Sequence, residues 1–418
     1  MTAKQGSTQQ NVAVIGAGVI GITSALKLQQ LGFNVTIFDP QGAAQGCSKG
    51  NAGHIATEQV FPLASPNTIK QIPSMLFSPQ SPLSIRWRDV LSTLPWMVRF
   101  LFSARKRSFD ASTRALTELN QHSLPSWETL LSSINEEGLI KVDGSLLVFE
   151  SETLFESYQE TLNALNQAGV EYQIWDQLRL RRKLPKLGLQ VRYGVFFPNT
   201  GHTIEPYELC VSLNQRFQEL GGKFVEKGVL TLTKQGEVIT ENGAQQFDRI
   251  VLAAGLHSAP MVASLTGTKV PIQAERGYHV MVEKFDHELP MAVSSADRKF
   301  IMTPMKHGLR LAGTVEYGSP SAPFNHKRTE LLIKQGDIML QDGINPRALG
   351  DRWMGERPST SDSLPVIDTI CDDKIVLAFG HQHLGLTQAA ITADLVSQLI
   401  TNQPTSINVA PFTLRRFS

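Results

Sequence analysis

The sequence predicts an α/β protein whose chain returns several times to one parallel sheet. Three stretches carry that expectation. Residues 11–39 give a strand, a glycine turn, a helix and a second strand. Residues 247–258 give another buried strand with a tight exit. Residues 374–387 give a late strand that runs through a glycine-rich loop into a closing helix.

The opening unit is the most specific. Val12-Ala13-Val14-Ile15 is too short for a helix and suits a buried parallel strand. Gly16, Gly18 and Gly21 then form a G-x-G-x-x-G turn around Val19 and Ile20. Gly16 makes the turn, Gly18 lets the backbone approach a pyrophosphate, and Gly21 lets helix and strand pack closely. The following helix offers N–H groups and a positive dipole end to the phosphates. It stops at Gly32, and the second strand ends in Asp39, where an acid accepts ribose hydroxyls. The unit identifies a dinucleotide and leaves FAD and NAD both open.

With 418 residues the chain is long enough for two lobes. Its 39 basic and 38 acidic side chains nearly balance, so no global charge favours nucleic acid. Cys47, Cys210 and Cys371 are scattered, with no metal spacing, which fits a reducing compartment and no metal site. Residues 1–10 are polar and show no secretory signal, and no apolar run is long enough to span a membrane.

In chain order, residues 41–55 form a small-sided loop in which Ser48, Asn51, Ala52 and Gly53 are the expected cofactor contacts and His54 the residue that reaches a pocket. Residues 86–107 mix Trp87, Trp96, Phe100 and Leu101 with flanking arginines. That is the make-up of an interfacial helix for peripheral membrane contact, or of an ordinary amphipathic helix, with Pro95 kinking or dividing it. Residues 112–134, 151–168, 205–220 and 329–341 read as helices, and 140–149 as a hairpin about Asp143-Gly144. Residues 223–233 read as one strand, with Val229 able to pair with an adenine edge. Ala254-Gly255 exits the returning strand beside the pyrophosphate. Gly380, Leu384, Gly385 and Thr387 lead the chain into the closing helix, whose dipole can stabilise negative charge on a reduced flavin.

The order of VIGAGVIG, the Ser48–Gly53 loop, LPWMVRFL, FDRIVLAAG, ERGY, GTVE, GERP and GHQHLGLT resembles the FAD-dependent D-amino-acid oxidase superfamily, and within it the bacterial D-amino acid dehydrogenases. The resemblance runs nearly end to end. It implies a Rossmann-like FAD-binding domain (1–58, 203–272 and 350–418) and a discontinuous mixed-sheet substrate domain (59–202 and 273–349), with the flavin at their join. The sequence departs from the family at Ser363, where a glycine is usual, and at Gln382 and His383. Those departures leave room for a substrate other than D-alanine.

The implied activity is oxidative deamination of a D-amino acid by hydride transfer from Cα to FAD, with electrons passed to a quinone or another carrier. The cofactor performs the difficult step and the protein orients the substrate. Arg357 matches the substrate arginine of glycine oxidases, and its guanidinium fork suits a carboxylate; a salt bridge to a nearby acid is the alternative. Tyr278 is expected to add a phenol hydrogen bond, and His54 and His383 to line the side-chain pocket. The rivals are a glycine-, sarcosine- or D-hydroxyproline-type amine oxidase using oxygen, a non-catalytic flavin-holding subunit of a larger complex, and a plain NAD enzyme. The expected location is the cytoplasm, with peripheral contact on the inner face of the membrane through residues 86–107.

Overall fold

Short apolar runs bounded by glycine form the centre of a six-stranded sheet. Its order is Lys223–Val225, Asn34–Phe38, Asn11–Ile15, Arg249–Leu252, Ile375–Phe379 and Val366–Ile370. The first five strands are parallel and the last is an antiparallel edge. Val12, Val14, Ile37, Val251 and Val376 are fully buried, as parallel strands covered on both faces require. The computed structural model describes residues 9–66, 69, 83–285 and 289–417. The polar start expected over residues 1–10 falls mostly outside them.

A second, larger mixed sheet has nine strands. Eight run in the order Leu349–Thr360, Ile272–Glu283, Gly308–Tyr317, Phe300–Met305, Ala292–Ser295, Ser145–Phe149, Tyr193–Phe197 and Gln173–Trp175, and Leu83–Ile85 pairs with Gly308–Tyr317. Two antiparallel three-stranded sheets complete the fold. One of them pairs His54–Ile55 and Ile140–Lys141 with the two sides of Gly201–Thr203.

Four expectations change. Residues 140–149 form no hairpin, because Ile140–Lys141 pairs with Gly201–Thr203 while Ser145–Phe149 joins the large sheet. Residues 223–233 divide into Lys223–Val225 in the six-stranded sheet and Val229–Leu232 in a separate meander. Leu349–Thr360, expected almost wholly in the nucleotide lobe, pairs along its length with Ile272–Glu283 and so belongs to the large sheet. Residues 112–134, expected in the substrate lobe, form parts of two helices, Lys106–Gln121 and Ser123–Ser132. Trp127, Leu130 and Leu131 on the second share a core with Val12, Ile22 and Leu386 of the nucleotide lobe. Apolar pattern fixed each element's inner face, and the partner to which that face docked fixed its lobe.

Helix Val90–Ser103 runs through Pro95 without dividing. Its inner face carries Thr93, Trp96 and Phe100, all buried. Leu91, Leu94, Val98, Leu101 and Phe102 are exposed on its other side, Leu91 at 85%. Among the described residues no helix is long and apolar enough to cross a membrane.

Candidate active site

The glycine turn forms a cradle because side chains are sterically excluded there. A Cβ on Gly21 would lie 1.9 Å from the Gly16 carbonyl oxygen, and one on Gly16 would lie 2.6 Å from the Ala253 oxygen and 2.8 Å from Ala254 Cα. Gly16 also holds φ +102°, which favours glycine. Gly18 is the N-cap of helix Val19–Gln30 and has no side chain with which to cap it. Ser48 Oγ accepts the Val19 amide at 2.9 Å. The amides of Ile20 and Gly21 lie in the same first turn, whose N–H groups have no partner within the helix. Asp39 closes the cradle. Its two oxygens accept the amides of Ala17 and Gln41, each at 2.9 Å. Each oxygen retains a lone pair for a ribose hydroxyl. The cradle therefore fits a pyrophosphate and its ribose.

Gly16, Gly18, Val19, Ile20, Gly21, Asp39, Ser48 and Ala254 are thus brought together, with Gly255 in the turn just after Ala254. Val229 packs against the same apolar cluster as Ala254, beside Phe38. The closing helix Gly385–Ile400 meets this region through the Thr23 hydroxyl, 3.2 Å from the Ala389 oxygen. Thr387 Oγ1 accepts the Ala56 amide at 2.9 Å, so its hydroxyl fastens the strand after Gly53 to the helix start. Gly380 holds φ +83° at the exit of strand Ile375–Phe379. Leu384 is buried in an apolar cluster with Ile391 and Leu395.

Where the large sheet meets this lobe there is a cavity of about 1100 Å³. Asn51, Ala52, His54, His383, Glu275 and Arg357 are among its lining residues. The loop that carries Asn51 is gripped from the large sheet. Arg310 Nη1 donates to the Asn51 oxygen at 2.6 Å, and His279 Nδ1 lies 3.0 Å from the Gly50 oxygen. Arg310 is itself paired with Glu205 at 2.8 Å.

One lateral row of the large sheet crosses the cavity wall. Glu275 stands opposite Tyr317 on one neighbouring strand and opposite Arg357 on the other. Cross-strand partners share a face, so all three side chains point the same way. Arg357 Nη1 donates to Glu275 Oε1 at 2.9 Å, and the Tyr317 hydroxyl lies 3.5 Å from Glu275 Oε2. Gly277 leaves the space that the guanidinium fills, since a Cβ there would sit 2.6 Å from Arg357 Cζ. Arg357 therefore combines both readings of its sequence, paired with an acid and facing the cavity. Above the row, Trp96 packs on Tyr317 with ring centroids 5.0 Å apart and planes tilted by 35°, and donates Nε1–H to the Ser359 oxygen.

Tyr278 does not belong to this group. Strand parity turns it to the opposite face, with Arg276 and Glu316. It is 1% exposed, and its hydroxyl donates to Glu316 Oε2 at 3.2 Å. The phenol at the cavity is Tyr317, which the sequence reading missed. Tyr317 ends the GTVEY run, and only the register with Glu275 and Arg357 reveals it.

His54 and His383 both line the cavity. Burial lowers each imidazole to a pKa of about 4, so both are neutral at pH 7. Burial also raises the Tyr317 phenol well above its ordinary value, with the Glu275 carboxylate adding to the effect. Beside the dinucleotide cradle the row therefore presents the Arg357 guanidinium and a neutral phenol, with two neutral imidazoles on the same cavity wall. The site suits a small anionic substrate held beside a bound cofactor.

Residues 11–399 match a family described as FAD dependent oxidoreductase (DAO). A D-amino-acid oxidase of Bradyrhizobium diazoefficiens is 32% identical over 98% of this chain and 99% of its own length. A D-amino acid dehydrogenase of Allorhizobium ampelinum is 26% identical over 97% of this chain and 98% of its own. Among solved structures, glycine oxidase from Geobacillus kaustophilus superposes with a TM-score of 0.74, covering 97% of this chain and 99% of that one at 19% identity. That structural likeness shows the fold.

Proposed function

The chain belongs to the DAO family of FAD dependent oxidoreductases, and from that premise we propose that it oxidatively deaminates a D-amino acid to the 2-oxo acid and ammonia. The Tyr317–Glu275–Arg357 row on the cavity wall carries the reading. The names of the two curated relatives above support the D-amino acid as substrate class.

FAD, when bound, would supply the acceptor for the hydride that leaves Cα. The cradle at Gly16–Gly21, Asp39 and the loop at Ser48–Gly53 would hold it. Arg357 binds the substrate carboxylate through guanidinium N–H groups not committed to Glu275. Glu275 fixes the plane of that guanidinium. Tyr317 stands beside it as a neutral hydrogen-bond donor. The neutral ring of His54 or His383 can accept an N–H from the substrate amine without repelling it. Trp96, Phe100 and Phe300 supply apolar wall that keeps water from the reacting carbon.

For the acceptor we infer a quinone or another carrier. The exposed apolar side of helix Val90–Ser103, flanked by Arg99 and Arg105, supports peripheral contact with a membrane where a quinone resides. The cation-rich segment that follows, Lys106 and Arg107, adds attraction for anionic lipid. Anaerobic mixing with a panel of D- and L-amino acids should bleach the flavin with D-enantiomers. Bleaching by L-enantiomers alone, or by none, would refute the reading. Rapid peroxide formation in air would replace the quinone by oxygen and favour the oxidase alternative.

A further inference from the structure

A smaller annex of about 240 Å³ adjoins the main cavity. Gln59, Ser294 and His383 line both, so the annex lies directly off the candidate active site. Its walls are apolar at Leu146, Leu165 and Phe197. Its other polar groups include Tyr158, Ser145 and the carboxyl of Glu58.

Among the described residues Glu58 has no charged partner. Its side chain is 11% exposed, and its Oε2 is buried with no hydrogen-bond partner. Among the described residues its ionic neighbour is His54, whose Nε2 lies 3.7 Å from Oε1, beyond hydrogen-bond length. That Nε2 is likewise buried and unpartnered. His54 cannot supply the missing charge, because burial holds its imidazole neutral. Tyr158, whose phenol pKa the Glu58 carboxylate helps to raise, is an acid and not a cation. His202, opposite His54 across the strands, is held neutral by burial as well. Burial accordingly raises the Glu58 carboxyl to about 8, against smaller opposing effects of its own backbone amide and the Gln59 side chain. A buried carboxyl is normally paired or hydrogen-bonded, and this one has an open oxygen in a cavity.

We propose that Glu58 closes a side-chain subsite selecting D-amino acids that end in an ammonium or guanidinium group. The proposal rests on the D-amino-acid reading above. A basic substrate would then be held at both ends, by Arg357 at the carboxylate and by Glu58, which gives up its proton as the incoming cation pairs with it. The apolar annex walls accommodate the methylene stem, as lysine and arginine stems pack on apolar surface. Burial of the pair strengthens it, because each charge is desolvated next to its partner.

The test uses the FAD-loaded enzyme and compares kcat/KM for D-lysine and D-arginine with that for D-norleucine, which has the four-carbon stem of lysine without the ammonium. The wild type should favour the basic substrates by tenfold or more. Glu58→Gln should lower the ratio of basic to neutral kcat/KM at least tenfold. Leu146→Phe, which fills the annex from an apolar wall, should lower the same ratio and serves if the first variant fails to fold. A wild type without preference, or variants that keep the wild-type ratio, overturns the subsite and leaves the D-amino-acid reading standing. An enzyme that oxidises none of the three but does oxidise another D-amino acid overturns the subsite alone, and one that oxidises no D-amino acid sinks both.

Discussion

Replacing Arg357 by alanine separates stability from catalysis, because the guanidinium serves two carboxylates. The first is Glu275, 3% exposed and 2.9 Å from Nη1. Removing the arginine strands that buried charge, which costs roughly 3–5 kcal/mol of stability. The second is the carboxylate of the substrate. Loss of a desolvated charge pair there costs about 2–5 kcal/mol, which is some thirtyfold to several thousandfold in kcat/KM. The two losses are separable. In Arg357→Ala/Glu275→Gln no charge is stranded, so thermal stability should return most of the way to wild type while kcat/KM stays low. Arg357→Lys keeps the charge and loses the fork, so it should fall between wild type and alanine in kcat/KM. The assay is thermal unfolding, flavin absorbance for cofactor retention, and steady-state kinetics on one preparation. If Arg357→Ala retains flavin and keeps kcat/KM within a few-fold, the carboxylate is held elsewhere and the site has been misread.

Other substitutions follow from the same geometry. Gly277→Ala places a methyl where Arg357 now lies, so KM should rise at least tenfold with flavin content unchanged, measured by kinetics and absorbance. Gly21→Ala drives a methyl into the Gly16 carbonyl, so the purified protein should lose its yellow colour and resist reconstitution with FAD. Stability should also depend on Glu58. With a folded pKa of about 8 against 4.5 unfolded, the native state binds the extra proton between those values, so stability falls as pH rises from 4.5 to 8. Chemical denaturation should show that decline shrinking by a few kcal/mol in Glu58→Gln. The buried histidines act in the opposite sense: His54, His279, His381 and His383 have folded values of about 3 to 4, so stability falls as pH drops below about 6.5. Finally, Leu91→Glu/Leu94→Glu should abolish co-sedimentation with anionic vesicles, and unchanged binding would remove helix Val90–Ser103 as the contact.

The nucleotide cradle was legible in the chain because its parts are local. A glycine spacing, a short apolar run and an acid at the end of the next strand are fixed by backbone sterics, and the structure brings Gly16, Gly21 and Asp39 together as that spacing requires. The GERP motif likewise carried Arg357 to the cavity wall. What sequence could not decide was strand register and partner. Tyr278 and Tyr317 are both tyrosines in apolar strands, and the choice between them depends on which residues fall opposite Glu275 in a sheet whose strands are far apart in the chain. The same holds for Glu58, an unremarkable loop acid until folding buried it beside His54, with no cation to meet it among the described residues. Local pattern determines conformation because steric and hydrogen-bond rules act over a few residues; charge partners and cavity walls depend on which distant segments meet, and only tertiary packing sets that.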